Sequence, residues 1–430
     1  MLENKNTFLA VTLFIRVFNA AGQIAIAFFL LKAYGEASVG FFTVFVSNTM
    51  LVSLLMRQGF DRTLILIGAR NHLSKHTGHL FNFYFRKILL VSPLFGLINI
   101  LVFVATSSTL SLGNLWFIIA ALPIVFACSF LVAGVFTGLG KTVSAAIQQP
   151  GFSSGITSCI LIFSYAFNVM PDVFLTYFLV ACFVSISGIA KIYLNNSIET
   201  GSFLRSKNVL PTLLKKAAKL SSRRYLVINF FTTFNSVCFP TFLALFVTDS
   251  LIGEFKVVER LAMVIAFNLS FINIILPSKS INKFNVKDSS GFCKSIQYTF
   301  MFQYLTAGAL FLAFLLFKEQ LSTWLEIKNE SLFYLLLIAQ LINAFTGPVR
   351  VLLMYMGGQR ILQFSAIVET IASMALYWSM YALYGLTGLA VSYFLAISIP
   401  NIILACIVFR RFGIIPLPIP QKRPLATNRQ

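Results

Sequence analysis

Acid is scarce in this 430-residue chain: Asp and Glu number 13 against 33 Lys and Arg, and charged residues make up only 11% of it. Beside 58% hydrophobic side chains and a mean hydropathy of +0.85, so little charge excludes an aqueous globular domain. The six cysteines, at positions 128, 159, 182, 238, 293 and 406, include no CxxC spacing, which argues against a disulfide or metal framework. All three histidines, His72, His76 and His79, lie in one basic stretch with no nearby cysteine, and read as a solvated face of a cytoplasmic loop. Glycine-rich cradles, long soluble segments and sheet-like alternation are also missing.

What is present is apolar sequence in long runs. A spanning helix needs about 20 apolar residues, and the runs between charge clusters give twelve: 8–31, 37–56, 87–107, 115–138, 145–167, 173–194, 225–247, 255–277, 297–317, 331–355, 363–384 and 386–410. The first is longer than a signal-peptide core and follows a leader with one Lys beside one Glu, so it is expected to be a retained helix. The fold class is therefore an all-α polytopic membrane protein.

The net charge of +20 is distributed by topology. With a cytoplasmic N-terminus, the inner segments collect most of the Lys and Arg, whereas the outer loops hold only Lys32, Lys318 and Lys328. This is the positive-inside pattern, and it places both termini in the cytoplasm. The basic surplus suits anionic lipid headgroups and calls for no nucleic-acid partner.

The longest hydrophilic connection, 195–224, separates two sets of six runs, giving a first bundle at 1–194, a linker, a second bundle at 225–410 and a tail at 411–430. Within the linker, Leu213, Leu214, Ala217 and Leu220 recur at helical spacing among basic residues, as in a helix lying on the inner leaflet. The two sets look duplicated. "GEASVGFFTVF" (35–45) matches "DSLIGEFKVVE" (249–259) at an offset of 213, with Gly40 on Gly253. The same offset carries Arg16, Asn19 and Gln23 onto the polar residues Asn229, Thr232 and Ser236. "TGLGK" (137–141) and "YMGGQ" (355–359) form a second echo. Transporters built from repeats hold their sites where the repeats meet.

In the first run, Thr12, Arg16, Asn19 and Gln23 form one polar stripe at helical spacing, and Asn229, Thr233, Ser236 and Pro240 repeat it in the seventh. A cation at the bilayer centre costs about 2.5–3.5 kcal/mol on insertion scales, so these stripes should face the protein interior. A long Arg16 side chain that snorkels toward the headgroups is the alternative. The other intramembrane charges are Lys256, Glu259, Arg260, Arg350 and Glu369. Cations outnumber anions among them, which points to an anionic ligand. Glu259 reads either as a structural partner of Lys256 or as a proton carrier, and Glu369 has no cation one helical turn away. Prolines at 123, 150, 240, 348 and 400 interrupt helices and free backbone carbonyls.

Taken together, "GEASVGFFTVF", "MRQGFDRTLILIGAR" (56–70), "KVVERLAMVIAFNLSFINIILPSKS" (256–280) and "GGQR" after the tenth run resemble the polysaccharide transporter family of the multidrug/oligosaccharidyl-lipid/polysaccharide exporter superfamily. Val39 departs from it, standing where the family often has tyrosine. The resemblance implies twelve transmembrane helices in two pseudo-symmetric six-helix bundles around a central cationic cavity. It also implies a bacterial inner-membrane flippase for undecaprenyl-diphosphate-linked glycans such as O-antigen repeat units, operating beside a glycan polymerase and a chain-length regulator. Arg16, Lys256 and Arg260, with Arg350, would then receive the diphosphate, and Asn19, Gln23, Asn229 and Thr232 the glycan. No cofactor is implied beyond H+ or Na+ coupling, for which Glu259 and Glu369 are the candidates. A multidrug exporter is the rival within the superfamily, although it would want buried carboxylates near its entrance. A glycan polymerase or ligase would want an outer loop larger than 318–330.

Overall fold

The structure is a computed structural model, and it describes residues 5–68, 77–106, 115–167, 169, 171–194, 226–227, 229–267, 269, 289–325, 327–355 and 358–414. The linker at 195–224 and the tail beyond 414 lie outside the described residues, as do His72 and His76.

The chain is helical wherever it has regular structure among the described residues. In order, α1 is Lys5–Tyr34, α2 Glu36–Arg57, α3 Phe60–Gly68, α4 Thr77–Thr106, α5 Leu115–Gly138, α6 Thr142–Ile147, α7 Pro150–Ala166 and α8 Val173–Tyr193. Helix α9 spans 229–243 and includes a π-helical turn, Phe234–Cys238. Then come α10, Asp249–Met263; α11, Ser289–Leu316; α12, Lys318–Leu325; α13, Glu330–Thr346; α14, Val349–Tyr355; and α15, Gln359–Phe412.

Among the described residues, eight helices are long and apolar enough to cross a membrane. One of them, α15, runs for 54 residues but turns at Gly385, where φ is +57° and only glycine is comfortable, so it supplies two crossings. Helices α7, α9 and α10 are shorter, broken or more charged, and they occupy the remaining expected spans. The molecule is therefore an all-α, twelve-crossing membrane protein. Its outer faces agree with lipid: Leu90, Phe117, Phe163 and Phe183 are exposed although all are large and apolar.

Local chemistry fixes the helix ends. The Asp172 carboxylate accepts from Phe174 N (2.8 Å) and Leu175 N (3.1 Å) to start α8, and Asn329 accepts from Leu332 N (3.0 Å) to start α13. Pro150 takes the first position of α7, where a missing N–H costs least.

Contacts divide the chain into two compact units, 1–253 and 254–430. The first has a core of α3, α4 and α5 residues, including Phe60, Leu64, Phe81, Tyr84, Leu131 and Val135. Two expectations change here. The exit after α2 is a helix, α3, clamped by an Arg57–Asp61 ion pair (3.0 Å) with Arg57 also 3.8 Å over the Phe130 ring. Helix α4 starts at Thr77, ten residues before the apolar run, so His79 is half-buried in its first turn instead of on a solvated loop. The Phe60–Tyr84 stack at 4.0 Å supplies the packing that extends α4 past its apolar sequence.

The second unit is built on α11, α13, α14 and α15 around Phe300, Leu352, Leu353, Leu404, Val408 and Phe412. Its interior also holds a chain of amides. Asn401 donates to Asn343 (2.9 Å), Asn343 to Gln340 (3.0 Å), and Gln340 to the Tyr393 hydroxyl. The connection expected as an outer loop at 318–330 contains α12, tied to α13 by Lys318–Glu330 at 2.8 Å.

Candidate substrate site

In the first unit the polar stripe of α1 turns inward. Thr12 Oγ1 lies 3.4 Å from Thr142 Oγ1 on α6, and the Asn19 side chain lies against Gly151 in the first turn of α7. Phe14 and Val17, on the other face of α1, are exposed. Two close approaches hold α1 in place: Gly22 meets the backbone of Gly155, and Phe18 lies over Gly155. Arg16, midway along the stripe, is half-buried, and its Nε is fully buried with no hydrogen-bond partner among the described residues. Asn19 is buried as well, and its Oδ1 has no described partner. Gln23 is half-buried.

Helix α9 carries Asn229 and Thr232, both half-buried, with Thr232 Oγ1 donating to Asn229 O (3.3 Å). The side chain of Ser236 lies outside the described residues. Pro240 cannot donate to the helical ladder, and the π-turn just before it is the usual accommodation. Ser47 on α2 donates to the carbonyl of Val237 in that turn (2.8 Å).

The charges of the second unit are arranged as pairs. Lys256 and Glu259, both buried on α10, form an ion pair and hydrogen bond. Tyr377 and Tyr393 lie near enough to Glu259 to sense its charge, and the Tyr393 ring meets Phe255 edge-on at 5.6 Å. Arg350 on α14 donates to both oxygens of Glu369 on α15, at 2.8 and 2.9 Å. Arg260 is half-buried.

These pairs take up both intramembrane carboxylates and two of the four intramembrane cations. Lys256 and Arg350 each carry a counter-ion, whereas Arg16 has none among the described residues. Sequence spacing could suggest Lys256–Glu259, but not Arg350–Glu369, whose partners are 19 positions apart on different helices. The amide chain from Asn401 to Tyr393 also escaped the sequence reading, because neutral polar residues are common in such helices and only their convergence is informative.

No family model and no curated protein matches this sequence. Solved structures do. The MATE multidrug transporter DinF-BH superposes over 95% of this chain and 96% of its own with a TM-score of 0.66 at 16% identity. The chain has the fold of the MOP-superfamily transporters. A multidrug resistance MATE transporter of that superfamily, in its outward-facing conformation, covers 94% of this chain and 95% of its own (TM-score 0.62, 14% identity). A MOP-superfamily transporter from Pyrococcus furiosus covers 94% of each chain (TM-score 0.57, 14% identity). The twelve-helix, two-bundle layout expected from the sequence fits the MOP fold. Of the family resemblance, the fold is thereby shown, and the narrower polysaccharide branch is not.

Proposed function

We propose that this MOP-fold protein is a transporter working by alternating access, and that its cargo is exported in the manner of a cation-coupled multidrug exporter. The observation that carries this reading is the end-to-end match to MATE multidrug transporters, one of them outward-facing. Glu259 and Glu369 remain the candidates for coupling. Each sits in an ion pair, so a proton or Na+ at either carboxylate would release Lys256 or Arg350. That exchange links cation binding to movement of a helix. Expression in a strain stripped of its own exporters should raise resistance to cationic dyes such as ethidium. Unchanged susceptibility with normal membrane levels of the protein would reject drug export.

A specific observation favours a second reading, a flippase for undecaprenyl-diphosphate-linked oligosaccharide in the bacterial inner membrane with both termini cytoplasmic. Arg16 is a cation without a described counter-ion, set where a MATE exporter of cationic drugs would want a carboxylate. The Pyrococcus furiosus relative, whose binding pocket is described as reversed in polarity with a different function suggested, is a precedent for such a change on this fold. In this reading Arg16, Lys256, Arg260 and Arg350 would attract the diphosphate. Asn19, Gln23, Asn229 and Thr232 would hydrogen-bond the glycan, which passes to a polymerase and its chain-length regulator. Loss of surface glycan on deletion, restored by the wild-type chain, tests it.

A further inference from the structure

The second unit carries a row of amides that ends on a tyrosine beside the Lys256–Glu259 helix. Asn401 on α15 donates to Asn343 on α13 (2.9 Å), Asn343 to Gln340 (3.0 Å), and Gln340 to the hydroxyl of Tyr393 on α15. Every donor points the same way. The Tyr393 oxygen is thus an acceptor for the row, and its own proton is directed away from the amides. Phe255, one turn before Glu259 on α10, meets the Tyr393 ring edge-on at 5.6 Å, which sets that ring against the face of α10 that carries Glu259.

The row has depth as well as direction. Tyr393 and Asn401 are eight residues apart on α15, about 12 Å along its axis. From Tyr393 to Asn401 the row leads away from the turn at Gly385 and toward the end with Arg410 and Arg411, the cytoplasmic face in the topology proposed above. Gln340, Tyr393 and Asn401 are buried, whereas Asn343 is half-buried and opens the row.

Gln303 on α11 is a second, independent sign of water in this bundle. It is fully buried, and neither its Oε1 nor its Nε2 has a hydrogen-bond partner among the described residues. Phe300, one turn before it on the same face, packs its ring on Gly347, and Tyr304 stacks on Phe345 at 4.3 Å, so this part of α11 lies along the last turn of α13, where Asn343 is. A buried amide with donor and acceptor both open is satisfied by water, and by neither a bare cation nor an anion. The oxygens of Asn343, Gln340 and Tyr393 already accept N–H groups, which suits ordered water better than a stripped Na+.

We propose that Tyr393, Gln340, Asn343 and Asn401 line a hydrated path that carries the coupling proton between Glu259 and the cytoplasmic face. The proposal deepens the coupling reading and rests on it for the role of Glu259. When Glu259 releases its proton, the carboxylate re-forms its pair with Lys256, the proton passes to water beside Tyr393, and water at Asn343 gives it up to the cytoplasmic side. Amides do not pass protons along, so the row is made of positioning residues that order the water. The charged and titratable groups around Glu259 are Lys256 and Arg260 on α10 and Tyr377 and Tyr393 on α15.

The test follows Glu259 itself, in the purified full-length protein in nanodiscs. Infrared difference spectra after a pH jump report its carboxyl band, assigned by its loss in Glu259→Gln. Asn343→Leu and Asn401→Leu should each slow protonation about tenfold or more. Both should leave the midpoint of the titration in place, and both should regain speed when azide, a small weak acid in its protonated form, delivers protons by another route. If Asn401→Leu does not reach the membrane, Asn343→Leu, at the half-buried position, carries the test alone. Wild-type rates in the folded leucine variants overturn the path. So does a slowing that shifts the midpoint and ignores azide, which marks a structural role, and so does the absence of a Glu259 band at every pH at which the protein stays folded. Ethidium transport that ignores the pH gradient, while the leucine variants still slow the band, would preserve the path without the coupling reading. Transport uncoupled from the gradient by Glu259→Gln, with the band unslowed in the leucine variants, would preserve that reading without the path.

Discussion

Gly40 on α2 and Gly253 on α10 occupy equivalent places in a single helix crossing. A Cβ added at Gly40 would stand 1.8 Å from the Asp249 carbonyl oxygen, and one at Gly253 would stand 2.0 Å from that of Glu36. The offset of 213 that aligns the two glycines also carries Glu36 onto Asp249, so the contact is its own image under the internal duplication. Ser250 Oγ donates to Glu36 Oε2 (3.1 Å) across the same crossing. Close backbone approach through small residues is how helices associate where lipid removes the hydrophobic drive.

Because backbone atoms form both walls, neither can yield cheaply. Gly40→Ala and Gly253→Ala should each destabilise the protein by about 2 kcal/mol or more, and by similar amounts. Thermal unfolding in detergent measures this, and an unchanged midpoint for either would contradict the reciprocal crossing.

The Arg350–Glu369 pair predicts a coupling energy. Arg350 is 38% exposed at its side chain, so solvent screening keeps the cost of Glu369→Gln to about 1–2 kcal/mol, below that of a fully buried pair. The double variant Arg350→Gln/Glu369→Gln should recover part of it in a double-mutant cycle. Strict additivity would mean that the two side chains do not interact.

The Lys256–Glu259 pair is more deeply buried, with side chains 5% and 6% exposed. Removing only Lys256 strands a carboxylate and should cost about 3–5 kcal/mol, whereas Lys256→Met with Glu259→Leu should come close to wild-type stability. That folded double variant also separates structure from coupling: transport that still follows the proton or sodium gradient would eliminate Glu259 as the coupling group.

Lys318 and Glu330 illustrate the opposite limit. The hydrogen bond to Glu330 raises the Lys318 pKa, so any stabilisation is complete below the ordinary lysine range and fades as pH climbs through the elevated value. Since the Glu330 side chain is 70% exposed, Lys318→Gln should leave the unfolding midpoint at neutral pH unchanged within error. A drop of several degrees would show that this connection matters to the unit beneath it.

Hydropathy and charge placement made the crossings legible, because a span needs a minimum apolar length and basic residues mark its inner side. The interior orientation of the α1 stripe was legible for the same reason. Pro150 likewise marked the interruption between α6 and α7, whereas helix α3 and the early start of α4 were not legible, since packing such as the Phe60–Tyr84 stack sets them without altering average hydropathy. The fate of the charges was legible only where partners share a helix, as in Lys256 and Glu259.

The sequence by itself determined a twelve-crossing membrane protein with an internal repeat and a cation on its first helix, because transfer free energy acts residue by residue along the chain. Only the tertiary structure decided that Arg350 finds Glu369 while Arg16 stays half-buried without a described counter-ion. Charge pairing depends on distance in space, and helices far apart in sequence come within reach of one another only when they pack.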